Sequence, residues 1–231
     1  MKIRKAYQNL SALLIVMFFT ISSFAQTILV PYGATWKYLD NGSNQGTAWS
    51  ESGFNDSLWA EGPAELGYGE GDETTVVSYG PNSSNKYITT YFRHYFDLEN
   101  QSQTENVLLS LLRDDGAVIY LNGNEIVRSN LPPGDVDDKT LASSSGRGAH
   151  QYLVPTINFV TGTNVLAVEV HLKADDAEAM SFNLELATSD SVLGITRKAP
   201  YLIYTGVNSE MQILWQLNYT YPSNIEWGTD T

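Results

Sequence analysis

An Asn-Gly pair set between two alternating runs restricts this chain more than any other feature. Asn122 and Gly123 are the residues that most readily accept the positive φ angles of a type I′ turn, so residues 117–121 and 124–129 are predicted to form a β-hairpin. A second turn signal, Asp114-Asp115-Gly116, stands just before it. The same alternation recurs downstream. In residues 165–172, Leu166, Val168, Val170 and Leu172 face one way while Glu169 and His171 face the other; in 181–187, Phe182, Leu184 and Leu186 alternate with Ser181, Asn183 and Glu185. Residues 87–98 place Ile88, Phe92, Phe96 and Leu98 on one side, with His94 among them. Period-2 patterning of this kind predicts antiparallel strands with one packed and one wet face. Long helical periodicity does not occur, and the chain carries 18 glycines. An all-β sandwich follows.

The amino terminus is of another kind. Lys2, Arg4 and Lys5 precede the apolar run 13–19, and Ser23-Phe24-Ala25 follows it. This pattern predicts a secretory signal over residues 1–25, cleaved near Ala25. No later run approaches the ~20 apolar residues that a bilayer span needs. The expectation is a secreted, soluble product with no membrane partner. Removing residues 1–25 deletes three cations and no acid, which takes the formal net charge from -13 to -16. Such a surface repels the phosphates of nucleic acid and of anionic membranes. Cysteine is absent, so disulfides and thiolate metal sites are excluded and stability must come from core burial.

Residues 36–72 contain Trp36, Trp49 and Trp59 separated by Gly, Asn, Ser and Asp, and read as loops with short strands. The first domain is expected over 26–190. The pattern lapses around 189–198 and resumes at Ala199-Pro200-Tyr201-Leu202, which marks a second unit over 197–231 with strands at 211–217 and 224–227. Two or three strands cannot close a sandwich, which usually takes ~100 residues. The second unit therefore reads as the truncated start of a larger domain.

Several stretches carry a resemblance to known families. Trp36-Lys-Tyr-Leu-Asp-Asn-Gly-Ser43, Phe54-Asn-Asp-Ser-Leu-Trp59, Leu66-Gly-Tyr-Gly-Glu-Gly-Asp-Glu73, Asp114-Asp-Gly-Ala-Val-Ile-Tyr-Leu-Asn-Gly123 and Thr163-Asn-Val-Leu-Ala-Val-Glu-Val-His171 together resemble the galactose-binding-like jelly-roll modules of secreted bacterial proteins. That resemblance implies a jelly-roll β-sandwich and leaves the ligand unspecified. The tail, residues 198–217 followed by Ile225-Glu-Trp-Gly-Thr229, resembles the opening of the fibronectin-type, immunoglobulin-like domain that precedes the catalytic domain of purple acid phosphatases. It implies a parent metallophosphoesterase with a dinuclear metal centre beyond Thr231. The family's Gly-Asn-His and Gly-His-x-His motifs do not occur in these 231 residues.

The candidate chemistry is sparse. His171 and Glu169 share a strand face, but one such pair is too few ligands for a tight transition-metal site. Asp114 and Asp115 beside Gly116 could chelate a structural calcium, a hard cation that takes several oxygens. The alternative is a polar turn whose carboxylates bond local backbone N–H groups. The acids at 70–73, 135–138 and 175–178 lack EF-hand spacing and read as solvated loop charges. Gly67-Tyr68-Gly69-Glu70-Gly71 is flanked by acids and followed by no helix pattern, so it does not cradle phosphate. No Gly-x-Ser-x-Gly elbow is present.

Trp49, Trp59 and Tyr68, with Asn122, are the candidates for stacking on a sugar and bonding its hydroxyls. The alternative for the tryptophans is a role as core anchors. Two functions result: a non-catalytic module holding an attached catalytic domain on a glycan or cell-surface polymer, or a structural spacer with no ligand of its own.

Overall fold

The computed structural model describes residues 27–99, 106–189, 196–204 and 211–217. The signal segment and the strand expected at 224–227 lie outside the described residues. Fourteen strands are present among those described: β1 (Ile28–Val30), β2 (Thr35–Leu39), β3 (Ala60–Pro63), β4 (Leu66–Tyr68), β5 (Thr75–Val76), β6 (Thr89–Leu98), β7 (Asn106–Asp114), β8 (Gly116–Leu121), β9 (Asn124–Ser129), β10 (Gly148–Pro155), β11 (Gly162–His171), β12 (Met180–Ser189), β13 (Thr196–Tyr204) and β14 (Met211–Leu217). Two sheets of six form a jelly-roll sandwich. One has the order β10-β7-β12-β4-β5, with β1 also paired to β12; the other runs β3-β2-β6-β11-β8-β9. From β6 onward the chain passes repeatedly from one sheet to the other, so that apart from the β8–β9 hairpin the strands that pair there are distant in sequence. Strands β13 and β14 form a separate antiparallel pair.

The hairpin forms as the Asn-Gly pair dictates. Asn122 has φ 51° and Gly123 φ 86°, and β8 pairs with β9 across them. Trp36, Phe92, Phe182, Leu66, Leu109, Leu111, Ile119, Leu121 and Leu166 are nearly or fully buried between the sheets. Phe92 stacks on Phe182 at 4.4 Å between ring centroids, and Trp36 meets Phe182 edge-on at 4.9 Å. Each such side chain contributes roughly 1.5–3 kcal/mol by leaving water. Where β4 runs beside β12 the backbones close up: a Cβ at Gly67 would sit 2.1 Å from the Met180 carbonyl oxygen, so only glycine fits there.

The strands at 87–98, 165–172 and 181–187 are found as β6, β11 and β12, with ends displaced by up to three residues. Much of the wet face expected on β11 and β12 is buried. On β11, Glu169 is 4% and His171 0% exposed; on β12, Ser181 is 0% and Asn183 2% exposed. Over β11 the reason is the connections, which fold back onto the outer surface of the β6–β11–β8 sheet. Trp49, Phe54 and Trp59 pack there on Tyr91, Ala167 and Tyr120, while Leu131 and Ala142 pack on Val118.

Candidate functional site

Three places hold the polar groups from which chemistry could be built. The first is the covered outer face of the β6–β11–β8 sheet. Arg93 on β6 is fully buried. Its guanidinium meets Asp56 at 2.8 Å, bonds the carbonyls of Trp49 and Glu51, and donates to Tyr95 Oη. Tyr95 in turn donates to Asp56. Burial works to raise the Asp56 carboxyl, but the hydrogen bonds from Tyr95 and Arg93 outweigh it and hold the group below the usual carboxylate range. This is a clamp that fastens the 47–59 connection to the sheet.

Beside it, Tyr120 Oη donates to Glu169 Oε1 at 2.7 Å, and Glu169 Oε2 faces His171 Nε2 at 3.3 Å. His171 Nδ1 lies 2.7 Å from the Thr140 carbonyl oxygen, an acceptor only, so this nitrogen carries the proton and donates. Thr89 Oγ1 donates to the Asp138 carbonyl. His171 and Thr89 thus hold the 137–142 segment down.

The second place is the Asp114-Asp115 turn. Asp115 Oδ1 accepts Gly146 N–H and Oδ2 accepts Lys173 N–H, both at 2.7 Å, while Arg113 and Asn130 donate to its carbonyl. One carboxylate therefore joins its own turn to two loops remote in sequence, and the N–H groups it accepts are not the local ones. Asp114 is pushed up to about 7, by burial first and then by its hydrogen bond with Asp115. Among the described residues the buried Tyr68 Oη has no hydrogen-bond partner, and burial followed by the Asp115 and Asp114 charges raises its phenol. Among the described residues no group of three or more His, Asp or Glu is placed to hold a metal ion.

The aromatic candidates do not converge. Trp49 is 2% exposed and is packed by Trp59, Tyr91 and Tyr120. Trp59 is half-buried against it. Tyr68 belongs to the interior between the sheets. The Asn122 side chain is fully engaged: its amide donates to Asn158 O and Asn164 Oδ1, and its oxygen accepts Val165 N–H.

The third place was not legible as a site. On the outer surface of the other sheet, register aligns Gln151, Ser110 and Glu185 across β10, β7 and β12, with Ala149, Leu112 and Asn183 in the next row. A groove of about 380 Å³ lies here, lined by Tyr32, Ser110, Leu112, His150 and Gln151 among others. Tyr32 is 55% exposed. It stands at the second position of a turn closed by Ala34 N–H to Pro31 O, with Gly33 at φ 86° in the third, the type II form. Gly33 N–H also donates to Asn183 Oδ1, which fastens the turn to the sheet.

No family model and no curated protein matches this chain. Among solved structures it is similar to a β-glucuronidase from an uncultured Clostridium sp., at 14% identity over 87% of this chain and 35% of that one, TM-score 0.46. It is also similar to Bacteroides uniformis β-glucuronidase, at 19% identity over 75% and 20%, TM-score 0.45, and to a glycosyl hydrolase family 2 member from Bacteroides cellulosilyticus, at 13% identity over 76% and 23%, TM-score 0.48. The chain spans between 20% and 35% of the length of these three proteins. Likeness at this level bears on neither activity nor substrate.

Proposed function

We propose that this chain is a non-catalytic, secreted β-sandwich module that holds an attached catalytic domain on a glycan or cell-surface polymer. The observation that carries this reading is how its buried polar groups are spent. Arg93 and Asp56 secure one connection, His171 and Thr89 another, and Asp115 joins its own turn to two further loops. Groups held in this way are positioned for architecture, whereas catalytic groups must meet a substrate. Meanwhile, among the described residues, the outer surface over β10 and β7 stays open, with an aromatic ring beside it and polar side chains on it.

The resemblance of residues 198–217 and 225–229 to the start of the purple acid phosphatase fibronectin-type domain supports a metallophosphoesterase as the attached enzyme, its dinuclear metal centre lying beyond Thr231. The test is direct. The purified 231-residue chain is expected to hydrolyse no phosphomonoester with or without added iron, zinc or manganese, and to be retarded in gels containing cell-wall polysaccharide. Metal-dependent turnover, or free migration through every polysaccharide, overturns the reading.

A further inference from the structure

We propose that the groove on the outer surface of the β10–β7–β12 sheet is a binding site for an uncharged polysaccharide chain, with Tyr32 as its stacking platform, Gln151 and Ser110 as its hydrogen-bonding lining, and Glu185 next in register beside the groove. This rests on the module reading above and gives it a location and a ligand class.

The geometry suits a sugar chain. A pyranose has an apolar face and a polar perimeter, so it pairs with an aromatic ring flanked by amide, hydroxyl and carboxylate groups. Tyr32 supplies the ring, held by a turn that Asn183 pins to the sheet, so little freedom is lost when it is covered. Its phenol is raised by burial and then by Glu65, and so stays neutral. Successive residues on one face of a strand lie about 6.8 Å apart, and neighbouring strands about 4.8 Å. The row Gln151–Ser110–Glu185 therefore crosses three strands one step from the Tyr32 turn. Leu153 and Leu108, aligned with Ala187, continue the surface as an apolar row. Gln151 is exposed, and the only hydrogen bond of its side chain among the described residues is a long one of 3.3 Å to Ser110 Oγ. Glu185 is half-buried and makes no hydrogen bond or ion pair among the described residues.

Charge selects the class. No lysine or arginine lines the groove. His150 brings no charge at neutral pH, because burial and then Arg113 lower its imidazole. Arg147, the cation that bears on Tyr32, is already paired with Glu65 and Asp72, each at 2.9 Å. The surroundings are thus net negative, and the whole chain is at -13. Uronate polymers are repelled and neutral ones are not.

The test is affinity electrophoresis of the full chain in laminarin, galactomannan and xyloglucan as neutral probes and in alginate and polygalacturonate as acidic ones. Tyr32→Ala, Gln151→Ala and Glu185→Lys are run beside it, each checked for an unchanged melting temperature. At least one neutral polymer is expected to retard the wild type, Tyr32→Ala to weaken that by roughly tenfold or more, and Glu185→Lys to gain retardation by the acidic polymers. Retardation that survives both Tyr32→Ala and Gln151→Ala overturns the groove while leaving a binding module. Equal retardation by acidic and neutral polymers, unaffected by Glu185→Lys, overturns the ligand class. Free migration in all five overturns the module reading itself.

Discussion

The two outer surfaces of the sandwich carry the same kind of strand and meet opposite fates. Over β6, β11 and β8 the connections 47–59 and 131–142 fold back, and Arg93, Glu169 and His171 become interior. Among the described residues no comparable lid lies over β10 and β7 on Ala149, Gln151, Ser110 and Leu112, which are exposed or half-exposed. Equivalent alternation thus produces an architectural surface on one side and an accessible one on the other. What separates them is where the long connections go.

If that contrast is right, substitutions on the covered surface are costly and those on the open one are cheap. The largest effect is expected at Arg93. Arg93→Ala takes from buried Asp56 its closest cation, leaving it Lys37 at 3.3 Å and the Tyr95 hydroxyl, and strands two carbonyls, which together costs about 3–5 kcal/mol. Urea unfolding should show it, and a loss under ~1 kcal/mol would break the contrast. Asp115→Ala comes next, since it removes two charge-assisted bonds that join separate loops, and is expected to cost about 2–4 kcal/mol. The same loss with and without chelator supports the hydrogen-bonded turn; a chelator effect on the wild type that Asp115→Ala abolishes restores calcium.

A smaller and pH-dependent effect is expected at Asp114. Its folded pKa, about 7, lies above its ordinary 3.8. The folded state therefore holds a proton that the unfolded state has released. That contribution is full below 3.8 and is lost as pH rises through 7. Asp114→Asn should leave the melting temperature unchanged at pH 3.5 and raise it by ~2 °C or more at pH 8. A variant that tracks the wild type at both pH values rejects a proton there. The smallest effects belong to the open surface, where Tyr32→Ala and Gln151→Ala should stay within ~0.5 kcal/mol of the wild type.

How much of this could be read beforehand depended on the range of the interactions. The Asn122-Gly123 turn is decided by two residues' own φ angles, and it was legible. The strands around Phe92, Val168 and Phe182 were legible because their pattern is local. The burial of Glu169 and His171 was not, since it is imposed by Leu131, Ala142 and Trp49 from connections remote in sequence. β7 and β10 are less legible: β10 begins on the last glycine of Gly146-Arg147-Gly148, and its alternation is blurred by half-buried Tyr152 and Leu153. Without those strands the row Gln151–Ser110–Glu185 could not be assembled. The groove is a product of register, which no single strand reveals.

Trp59 and Tyr32 put the contrast to its most direct test, because one aromatic lies on each surface. Tyr32→Ala and Trp59→Ala are compared for melting temperature and for retardation by the neutral polysaccharide that binds best. The expected result is that Tyr32→Ala loses retardation at an unchanged melting temperature, while Trp59→Ala melts several degrees lower and is retarded as the wild type. The reverse pattern, with binding lost at Trp59 and kept at Tyr32, would contradict the account.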